Sequence, residues 1–530
     1  MYNDQSNALG EFIFQSKYAR YNSNLKRKET FEESVDRILQ MHLKHLKDKY
    51  PEVLNNAEFN NDLLEAFEEY KNKNVYGSQR ALQFGGDPIL RKNEKIFNCS
   101  YTYIDSLERF EQIEYLLLCG CGVGCSVEYK HVNILPMMPE RLNSSVEEYV
   151  IGDSIESWSL AIGRLVQYYF NSNVTYPKFD YSKIRPSGSL ISGGFIAPGP
   201  DGLRNALNKI DSLLSNVHKT TRRLSPLNCA DILSHCADSV LSGGVRRSAL
   251  AILFSPNDEE MYNSKVGNWF YDNPQRGRYN ASVALERSDD NKEVFNKIFE
   301  STKEYGEPGF FFRSDSGIGC NPCFEIGFKP VLEIQKLDGV SKQTGIQFCN
   351  LISISGKEST TEEKFYKQCK AAATIGTIQA TYNSFPFLGE VTEQLAKNDP
   401  LIGVSISGIM MNPDILLNEN ILRKGAEIIK EQNSKIANLL RINPASRTTC
   451  IKPDGNISTL TGNTPGCHGQ HAKRYIRRVQ VNKEEEAGKV YAKYNPKAVV
   501  ESVWSNNHTD NCIMFAIESD RSEERRVGKE

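Results

Sequence analysis

Hydrophobic residues recur at helical spacing near the start of the chain and in several later segments. In residues 30–46 the apolar side chains lie on one stripe, and Thr30 followed by Glu33 has the sequence of a capping box that begins a helix. A second helix is predicted around residues 63–70. Similar stripes predict further helices over residues 158–169, 203–215 and 421–440.

After residue 81 the pattern changes to short apolar runs that are broken by glycine and proline and alternate with helical segments. This alternation predicts an α/β fold. We therefore expect a mainly helical N-terminal segment over residues 1–80 and an α/β unit over residues 81–520. The run from Cys512 to Ile517 is typical of a strand, whereas the charged tail at 521–530 is expected to be disordered or foreign.

Charge and cysteine content exclude several classes of protein. The 530 residues contain 64 Lys and Arg against 66 Asp and Glu, so no basic excess is available to bind polymeric nucleic acid. The sequence has no signal-peptide core and no apolar run of membrane-spanning length, which predicts a soluble, cytoplasmic protein without a membrane partner. Its 13 cysteines are scattered over a long chain and are expected to be reduced thiols.

The most informative segment is Gly-Cys-Asn-Pro-Cys-Phe-Glu-Ile at residues 319–326. If it is extended, Asn321, Cys323 and Glu325 project to the same side. A thiol, a carboxylate and an amide in one site could carry a radical, accept a hydroxyl proton and orient that hydroxyl. The alternative is a Cys-x-x-Cys pair, with Cys320, that forms half of a zinc site or a redox dithiol. No second such pair completes a zinc site, so we predict no metal.

Two further cysteines favour the radical interpretation. Cys99 lies in Phe-Asn-Cys-Ser, and Cys349 lies in Gln-Phe-Cys-Asn-Leu; taken singly, each would be a buried, inert thiol. Together with residues 321–326, these segments resemble the catalytic pattern of ribonucleotide reductases. Further motifs occur in the order of that family, at residues 120–124, 183–188, 243–248, 273–276, 452–458 and 475–478.

The resemblance implies a role for each of these residues. Cys323 would carry a thiyl radical at the tip of a finger loop, Glu325 would be the general base, and Asn321 would bind the ribose hydroxyls. Cys99 and Cys349 would be the dithiol that reduces the 2′ position and becomes a disulfide, so their strands would have to be neighbours. The implied fold is a ten-stranded α/β barrel in two parallel halves with the finger loop inside.

Residues 453–458 have the composition of a turn that enters a helix, where free backbone N–H groups favour an anion. The resemblance implies that this turn binds the substrate phosphates; an ordinary Asp-Gly turn is the alternative. Asp454 departs from the family, in which a small hydroxyl residue is often found, and its carboxylate would repel a phosphate unless it points away. The predicted phosphate residues are Pro453, Asp454, Gly455, Asn456 and Ser458.

A regulatory deoxynucleotide site is also implied by the resemblance. An aspartate shortly after the first redox cysteine and an arginine in a later loop match its positions, and the loop at 273–282 resembles the specificity loop that links effector to substrate. Taken singly, such residues are usually solvated surface groups. The predicted effector residues are Asp105, Ser106, Arg185, Gln275, Arg276 and Arg278.

The insertion at about 126–182 resembles that of monomeric class II enzymes, and Glu325 argues against the anaerobic class. The resemblance therefore implies an adenosylcobalamin-dependent monomer that acts on ribonucleoside triphosphates with a thioredoxin-type reductant. No cobalamin ligand can be assigned. The alternatives are a class I catalytic subunit that acts on diphosphates with a separate radical subunit, and a catalytically inactive nucleotide sensor.

Relatives carry another cysteine pair near a mobile C-terminus, whereas the final cysteine here is Cys512. The tail at 521–530 resembles a translated adapter oligonucleotide. We therefore expect the sequence to come from an incomplete gene.

Overall fold

A computed structural model describes residues 3–22, 24–191, 195–240, 249–288, 291–336, 339–503 and 508–519. The Gly-Gly-Val-Arg-Arg-Ser motif at 243–248 and the tail at 521–530 lie outside the described residues.

Helices dominate the first part of the chain. The helix that begins after Thr30 has the predicted capping box, since the Thr30 side chain accepts from the Glu33 backbone and the Glu33 side chain accepts from Thr30. The elements are α1 (Asn3–Lys17), β1 (Tyr21–Asn22), β2 (Arg27–Lys28), α2 (Phe31–Lys49), α3 (Ala57–Lys71), β3 (Val75–Tyr76), α4 (Gln79–Phe84) and α5 (Asp87–Arg91).

The next part of the chain alternates strands and helices. Its elements are β4 (Cys99–Tyr103), α6 (Glu108–Leu118), β5 (Gly122–Ser126), α7 (Tyr129–Val132), β6 (Val146–Val150), α8 (Ile155–Phe170), β7 (Tyr176–Asp180), β8 (Leu190–Ile191), β9 (Phe195–Ile196), α9 (Asp201–Lys219), α10 (Pro226–Ser239), β10 (Leu250–Phe254), α11 (Glu259–Tyr262), α12 (Trp269–Asp272), β11 (Tyr279–Glu286), α13 (Lys292–Tyr305) and β12 (Gly309–Arg313). Helices α6, α8, α9 and α10 pack against one another.

Five of these strands form a parallel sheet in the order β12-β11-β10-β5-β4. A sixth strand, β17 (Gln347–Phe348), pairs antiparallel with β4 at the edge. Every residue of β4, β5 and β10 is buried, as expected for parallel strands that are covered on both faces.

The C-terminal part begins with two hairpins and continues with a second parallel pair, β18 and β19, on which β3 packs antiparallel. Its elements, besides β17, are β13 (Gly319–Cys320), β14 (Gly327–Phe328), β15 (Val331–Lys336), β16 (Gly339–Thr344), β18 (Leu351–Ser355), α14 (Glu362–Gln379), α15 (Glu390–Asn398), β19 (Gly403–Ser407), α16 (Pro413–Leu416), α17 (Glu419–Leu440), α18 (Gly455–Thr461), β20 (Arg474–Asn482), α19 (Glu486–Tyr494), β21 (Val499–Glu501) and β22 (Asp510–Glu518). The last three strands form an antiparallel sheet in the order β20-β22-β21.

The predicted α/β class is confirmed, and so are the five helices that the hydrophobic stripes predicted, which are α2, α3, α8, α9 and α17. The described strands fall into separate sheets, so the ten-stranded barrel remains a prediction. The division into domains also remains a prediction. Among the described residues, the helices are too short or too polar to cross a lipid bilayer.

Candidate active site

A hairpin formed by β13 and β14 carries the predicted catalytic loop and packs tightly against the first sheet. Two glycines make this approach possible. A Cβ atom at Gly124 of β5 would lie 2.1 Å from the carbonyl oxygen of Cys320, and one at Gly319 would lie 1.9 Å from the Tyr101 ring. Since non-bonded atoms cannot approach this closely, the hairpin can dock on β4 and β5 only with glycine at these positions.

The loop at 321–326 is a tight turn, so our expectation of an extended segment was wrong. The N–H of Phe324 donates to the carbonyl oxygen of Asn321 at 3.0 Å, and Phe324 has a positive φ of 63°. The turn still brings the predicted side chains together, because Asn321 Nδ2 donates to Glu325 Oε2 at 2.7 Å. Asn321 is itself fixed, since its Oδ1 accepts from the N–H of Ile326 at 3.2 Å.

The second carboxylate oxygen of Glu325 lies in a different environment. Oε1 is buried and, among the described residues, has no hydrogen-bond partner. Burial raises the pKa of Glu325, while the hydrogen bond from Asn321 and the charge of Lys452 lower it and Asp454 raises it. Glu325 therefore has one oxygen held by Asn321 and one oxygen free to accept a proton or a hydrogen bond.

Cys99 and Cys349 are neighbours, as the resemblance requires. The N–H of Cys99 donates to Sγ of Cys349 at 2.9 Å, and the N–H of Cys349 donates to the carbonyl oxygen of Cys99 at 2.9 Å. Both thiols are buried and reduced. Burial raises the pKa of Cys349, so its sulfur stays protonated at neutral pH.

Cys323 joins this pair from the hairpin. The pKa of Cys323 is held far above its ordinary value by the interaction of its thiol with that of Cys99 and by partial burial of its sulfur. The same interaction lowers the pKa of Cys99, but the contact with Cys349 and burial outweigh it, so that pKa is also raised. Whereas Cys99 and Cys349 are buried, the residue Cys323 is exposed at the loop tip. Three protonated thiols thus extend from the surface into the interior.

The predicted phosphate turn enters α18, as its composition indicated. Asp454 precedes the helix with a left-handed backbone (φ 49°), and its side chain makes no capping hydrogen bond. The carboxylate turns away from the helix, since Oδ1 lies 3.2 Å from Nζ of Lys452 and accepts from the Ser353 hydroxyl at 3.3 Å. The buried ion pair with Lys452 therefore answers the objection that Asp454 would repel a phosphate.

Sequence reasoning assigned no role to Lys452 or to the strand serines beside it. Ser353 and Ser355 on β18 lie in register with Ser405 and Ser407 on β19, and all four are buried. Lys452 Nζ donates to Ser353 at 2.8 Å, and its N–H donates to Ser405 at 2.9 Å. The alternation of serine with apolar residues in Leu-Ile-Ser-Ile-Ser and Gly-Val-Ser-Ile-Ser was the signal for this polar face.

Three of the predicted effector residues, Asp105, Ser106 and Arg185, already have partners within the chain. Asp105 Oδ1 lies 3.5 Å from Nε of Arg109, and the carbonyl oxygen of Ser106 accepts from the N–H of Arg109 at 3.3 Å. Arg185 Nε donates to Asp153 in the insertion at 2.6 Å.

The predicted specificity loop is docked on α10. Arg276 makes a bidentate pair with Asp231, with both distances 3.0 Å, and Gln275 donates to the same carboxylate at 3.2 Å. Arg278 pairs with Asp238, two turns further along α10. Any contact of these side chains with a nucleotide would have to compete with these pairs.

Within the described residues, no three His, Cys, Asp or Glu side chains lie close enough together to hold a metal ion.

Comparisons with known proteins agree with the family resemblance of the site residues. No protein-family model matches the chain. It is 25% identical over 511 residues to the adenosylcobalamin-dependent ribonucleoside-triphosphate reductase of Euglena gracilis, which covers 90% of this chain and 66% of the relative. It is 27% identical over 366 residues to a probable adenosylcobalamin-dependent ribonucleoside-triphosphate reductase of Dictyostelium discoideum, which covers 63% of this chain and 44% of the relative. The chain thus spans less than two thirds of the length of both relatives.

A solved structure of a B12-dependent (class II) ribonucleotide reductase has the same fold. Its TM-score is 0.78 at 20% identity, and the match covers 98% of this chain and 83% of that one. The resemblance predicted from the motifs is confirmed: over most of its length the chain is homologous to adenosylcobalamin-dependent ribonucleoside-triphosphate reductases and has the fold of the class II enzyme.

Proposed function

We propose that this chain reduces ribonucleoside triphosphates to deoxyribonucleotides by thiyl-radical chemistry and depends on adenosylcobalamin. The observation that carries the proposal is the arrangement of three reduced cysteines around one loop. The thiol of Cys323 interacts with that of Cys99, whose N–H donates to Sγ of Cys349, and the loop that bears Cys323 also holds Asn321 against Glu325.

The proposed roles follow from this arrangement. A radical on Cys323 removes a hydrogen atom from a ribose carbon, and Glu325 Oε1 accepts a hydroxyl proton while Asn321 orients the ribose hydroxyls. The 2′ hydroxyl leaves as water, and Cys99 and Cys349 supply two electrons and two protons as they become a disulfide. Cys323 finally returns its hydrogen atom to the ribose carbon and is a radical again, so the atoms and electrons balance.

The protonation of the thiols supports hydrogen-atom transfer over the rival dithiol function. A thioredoxin-like dithiol needs a lowered thiol pKa, because the thiolate is the nucleophile. Here the pKa values of Cys323, Cys99 and Cys320 are all raised, chiefly by thiol hydrogen bonds or burial. An S–H bond that keeps its proton suits a group that exchanges hydrogen atoms.

The donor set also fits the proposed cofactor. When bound, adenosylcobalamin supplies a carbon-centred radical that can abstract the hydrogen of one thiol. Cys323 is exposed at the loop tip, while Cys99 and Cys349 are buried behind it. Cys323 is therefore the thiol that an external radical source can reach without exposing the reducing pair.

We propose that the substrate phosphates bind at the start of α18. Of the loop residues Pro453, Asp454, Gly455, Asn456 and Ser458, the middle three offer backbone N–H groups and Ser458 offers a hydroxyl. The Asp454 carboxylate is neutralised by Lys452. The turn lies near the catalytic loop, because Cys450, two residues before Lys452, and Ile326, next to Glu325, both flank Gly403.

We propose that Asp105, Ser106 and Arg185 bind a deoxynucleotide effector. We further propose that Gln275, Arg276 and Arg278 connect the effector site to the substrate site. The three arginines among them now pair with carboxylates: Arg185 with Asp153, Arg276 with Asp231 and Arg278 with Asp238. A phosphate would compete with a carboxylate for the same guanidinium groups. We also propose that the chain acts as a monomer with a thioredoxin-type reductant.

We propose the ten-stranded barrel because a contact across the first sheet indicates that the sheet is curved. Arg313 at the end of β12 pairs with Glu128, which follows β5 three strands away. In a flat sheet three strand spacings are about 14 Å, so both side chains would have to be fully extended to meet. The contact supports a sheet that curls around the hairpin, and its five parallel strands correspond to one half of the barrel.

The test is to incubate the chain with ribonucleoside triphosphates, adenosylcobalamin and dithiothreitol and to separate the products by chromatography. We expect deoxynucleoside triphosphates only when all three are present. A folded chain that binds nucleotide but forms no product under these conditions would favour the inactive sensor. Product formed from diphosphates only after a separate radical-generating subunit is added would favour the class I alternative.

A further inference from the structure

The segment that leads into the catalytic hairpin is held by side chains from two strands and one helix, namely Tyr103 on β4, Arg313 on β12 and Lys130 on α7. Residues 316–318 form neither helix nor strand, yet three consecutive carbonyl oxygens each accept from a side chain. Lys130 Nζ donates to Ser316, the Tyr103 hydroxyl donates to Gly317, and Arg313 Nη1 donates to Ile318 at 3.2 Å.

One carboxylate organises two of these donors. Arg313 makes a bidentate pair with Glu128, with distances of 2.5 and 2.9 Å, and both side chains are about 5% exposed. Lys130 Nζ lies 3.3 Å from the same carboxylate, and the Ser126 hydroxyl donates to it at 2.9 Å. Glu128 is therefore the centre of a buried network.

The positions of these residues explain why the network can orient the hairpin. Tyr103, Ser126 and Arg313 are the last residues of β4, β5 and β12. Parallel strands are held rigidly by their neighbours, so their ends are fixed points. Immediately after residue 318 the chain enters β13, which docks on β5 through Gly124 and ends at Cys320.

We propose that Glu128, Arg313, Lys130 and Tyr103 are positioning residues that fix the entry of the hairpin and thereby hold Cys323 against Cys99. This inference rests on the proposed function only in naming Cys323 as the reacting thiol. The network touches the loop through the backbone of residues 316–318, so it acts on Cys323 by setting where the hairpin begins.

The test measures the contact between Cys323 and Cys99 directly and does not depend on turnover. In a Cys349→Ser background, diamide oxidises the two thiols to a disulfide, and the Cys99–Cys323 linked peptide is quantified by mass spectrometry. Arg313→Met is compared with Arg37→Met, because Arg37 makes a bidentate, largely buried pair with Glu29 far from the hairpin.

We expect Arg313→Met and Glu128→Gln to slow formation of the Cys99–Cys323 disulfide at least about tenfold, and Arg37→Met to change it less than about twofold, since a displacement of about 1 Å costs a reaction roughly a hundredfold. Folded Arg313→Met that forms the disulfide at the parent rate would overturn the proposal.

If Arg313→Met does not fold, two milder variants can be used for the same test. Tyr103→Phe removes one hydrogen bond and keeps the ring, which stacks on His131 at 4.0 Å. Arg313→Lys keeps the charge but loses the bidentate geometry. We expect both to slow the disulfide and, in the active enzyme, to lower kcat with little change in KM. If both variants formed the Cys99–Cys323 disulfide at the parent rate, the positioning role would be contradicted.

Discussion

The backbone N–H of Cys99 donates a hydrogen bond of 2.9 Å to Sγ of Cys349, although 250 positions separate the two residues in the sequence. A second hydrogen bond runs in the opposite direction between their backbones. The contact is made because β17, which ends just before Cys349, pairs antiparallel with β4, which begins at Cys99. This strand pairing keeps the two thiols close enough to form a disulfide.

The first prediction concerns this pair. We expect Cys99→Ser and Cys349→Ser to form the cobalamin-dependent radical but to make no deoxynucleotide, because a serine cannot supply half of a disulfide. The radical is measured by electron paramagnetic resonance and the product by chromatography. Cys512→Ser, on β22, is the matched control and should behave as the parent does. A fully active Cys99 or Cys349 variant would refute the pairing.

The second prediction concerns the pH dependence of turnover. Burial raises the pKa of Glu325 above its ordinary value of 4.5, and the base must be ionised to accept a proton. Turnover should therefore rise with pH through the raised pKa. Glu325→Gln should abolish turnover, whereas Glu333→Gln, an exposed change on β15, should leave the profile unchanged.

Lys452 offers a sharper form of the pH test. Its positive charge lowers the pKa of Glu325, so Lys452→Met should move the acidic limb of the profile to higher pH. A limb that stays in place or moves to lower pH would contradict the electrostatic link between Lys452 and Glu325.

The third prediction concerns stability. Lys452 and Asp454 are an ion pair at 3.2 Å with side chains 9% and 0% exposed. Lys452→Met leaves a buried carboxylate without its cation and should lower the free energy of unfolding by about 3–5 kcal/mol, as broken buried pairs do. The double variant Lys452→Met/Asp454→Ser should recover part of that loss, measured by urea denaturation at pH 7.

Lys303→Ala is the control for this cycle, because Lys303 pairs with Glu300 on an exposed face and should cost less than about 1 kcal/mol. If the Lys452 and Asp454 changes were simply additive, the two residues would not be coupled.

The fourth prediction concerns the effector. Arg185→Ala should weaken deoxynucleotide binding by roughly 1.5–3 kcal/mol and leave basal turnover measurable, because an arginine contact to phosphate is charge-assisted and directional. Isothermal titration with dATP measures the change. Arg204→Ala removes a similarly exposed arginine that pairs with Asp201 on its own helix, and it should bind as the parent does. Identical titrations for Arg185→Ala would remove this residue from the site.

Sequence reasoning predicted the elements whose signals are local. The helices α2, α8 and α17 follow from hydrophobic spacing, and the start of α2 follows from Thr30 and Glu33, because caps and stripes depend on residues within a few turns. The motifs around Cys99, Cys323 and Cys349 identified the thiols that the fold brings together.

Features set by distant contacts could not be predicted. The turn at 321–326 depends on docking against Gly124, and the ion pair of Lys452 with Asp454 depends on the serine face of β18. The partners of Arg276 and Arg313 likewise depend on the packing of α10 and on the order of the strands in the first sheet. Spacing along the chain carries no information about such neighbours.

Radical formation in Cys323→Ser tests the central claim most directly. With adenosylcobalamin and a ribonucleoside triphosphate, the parent should give a cobalamin-dependent paramagnetic signal, and Cys323→Ser should give none, because a serine O–H bond is too strong for the same hydrogen exchange. Circular dichroism establishes that the variant is folded. A normal signal in folded Cys323→Ser would contradict the assignment of the radical to this thiol.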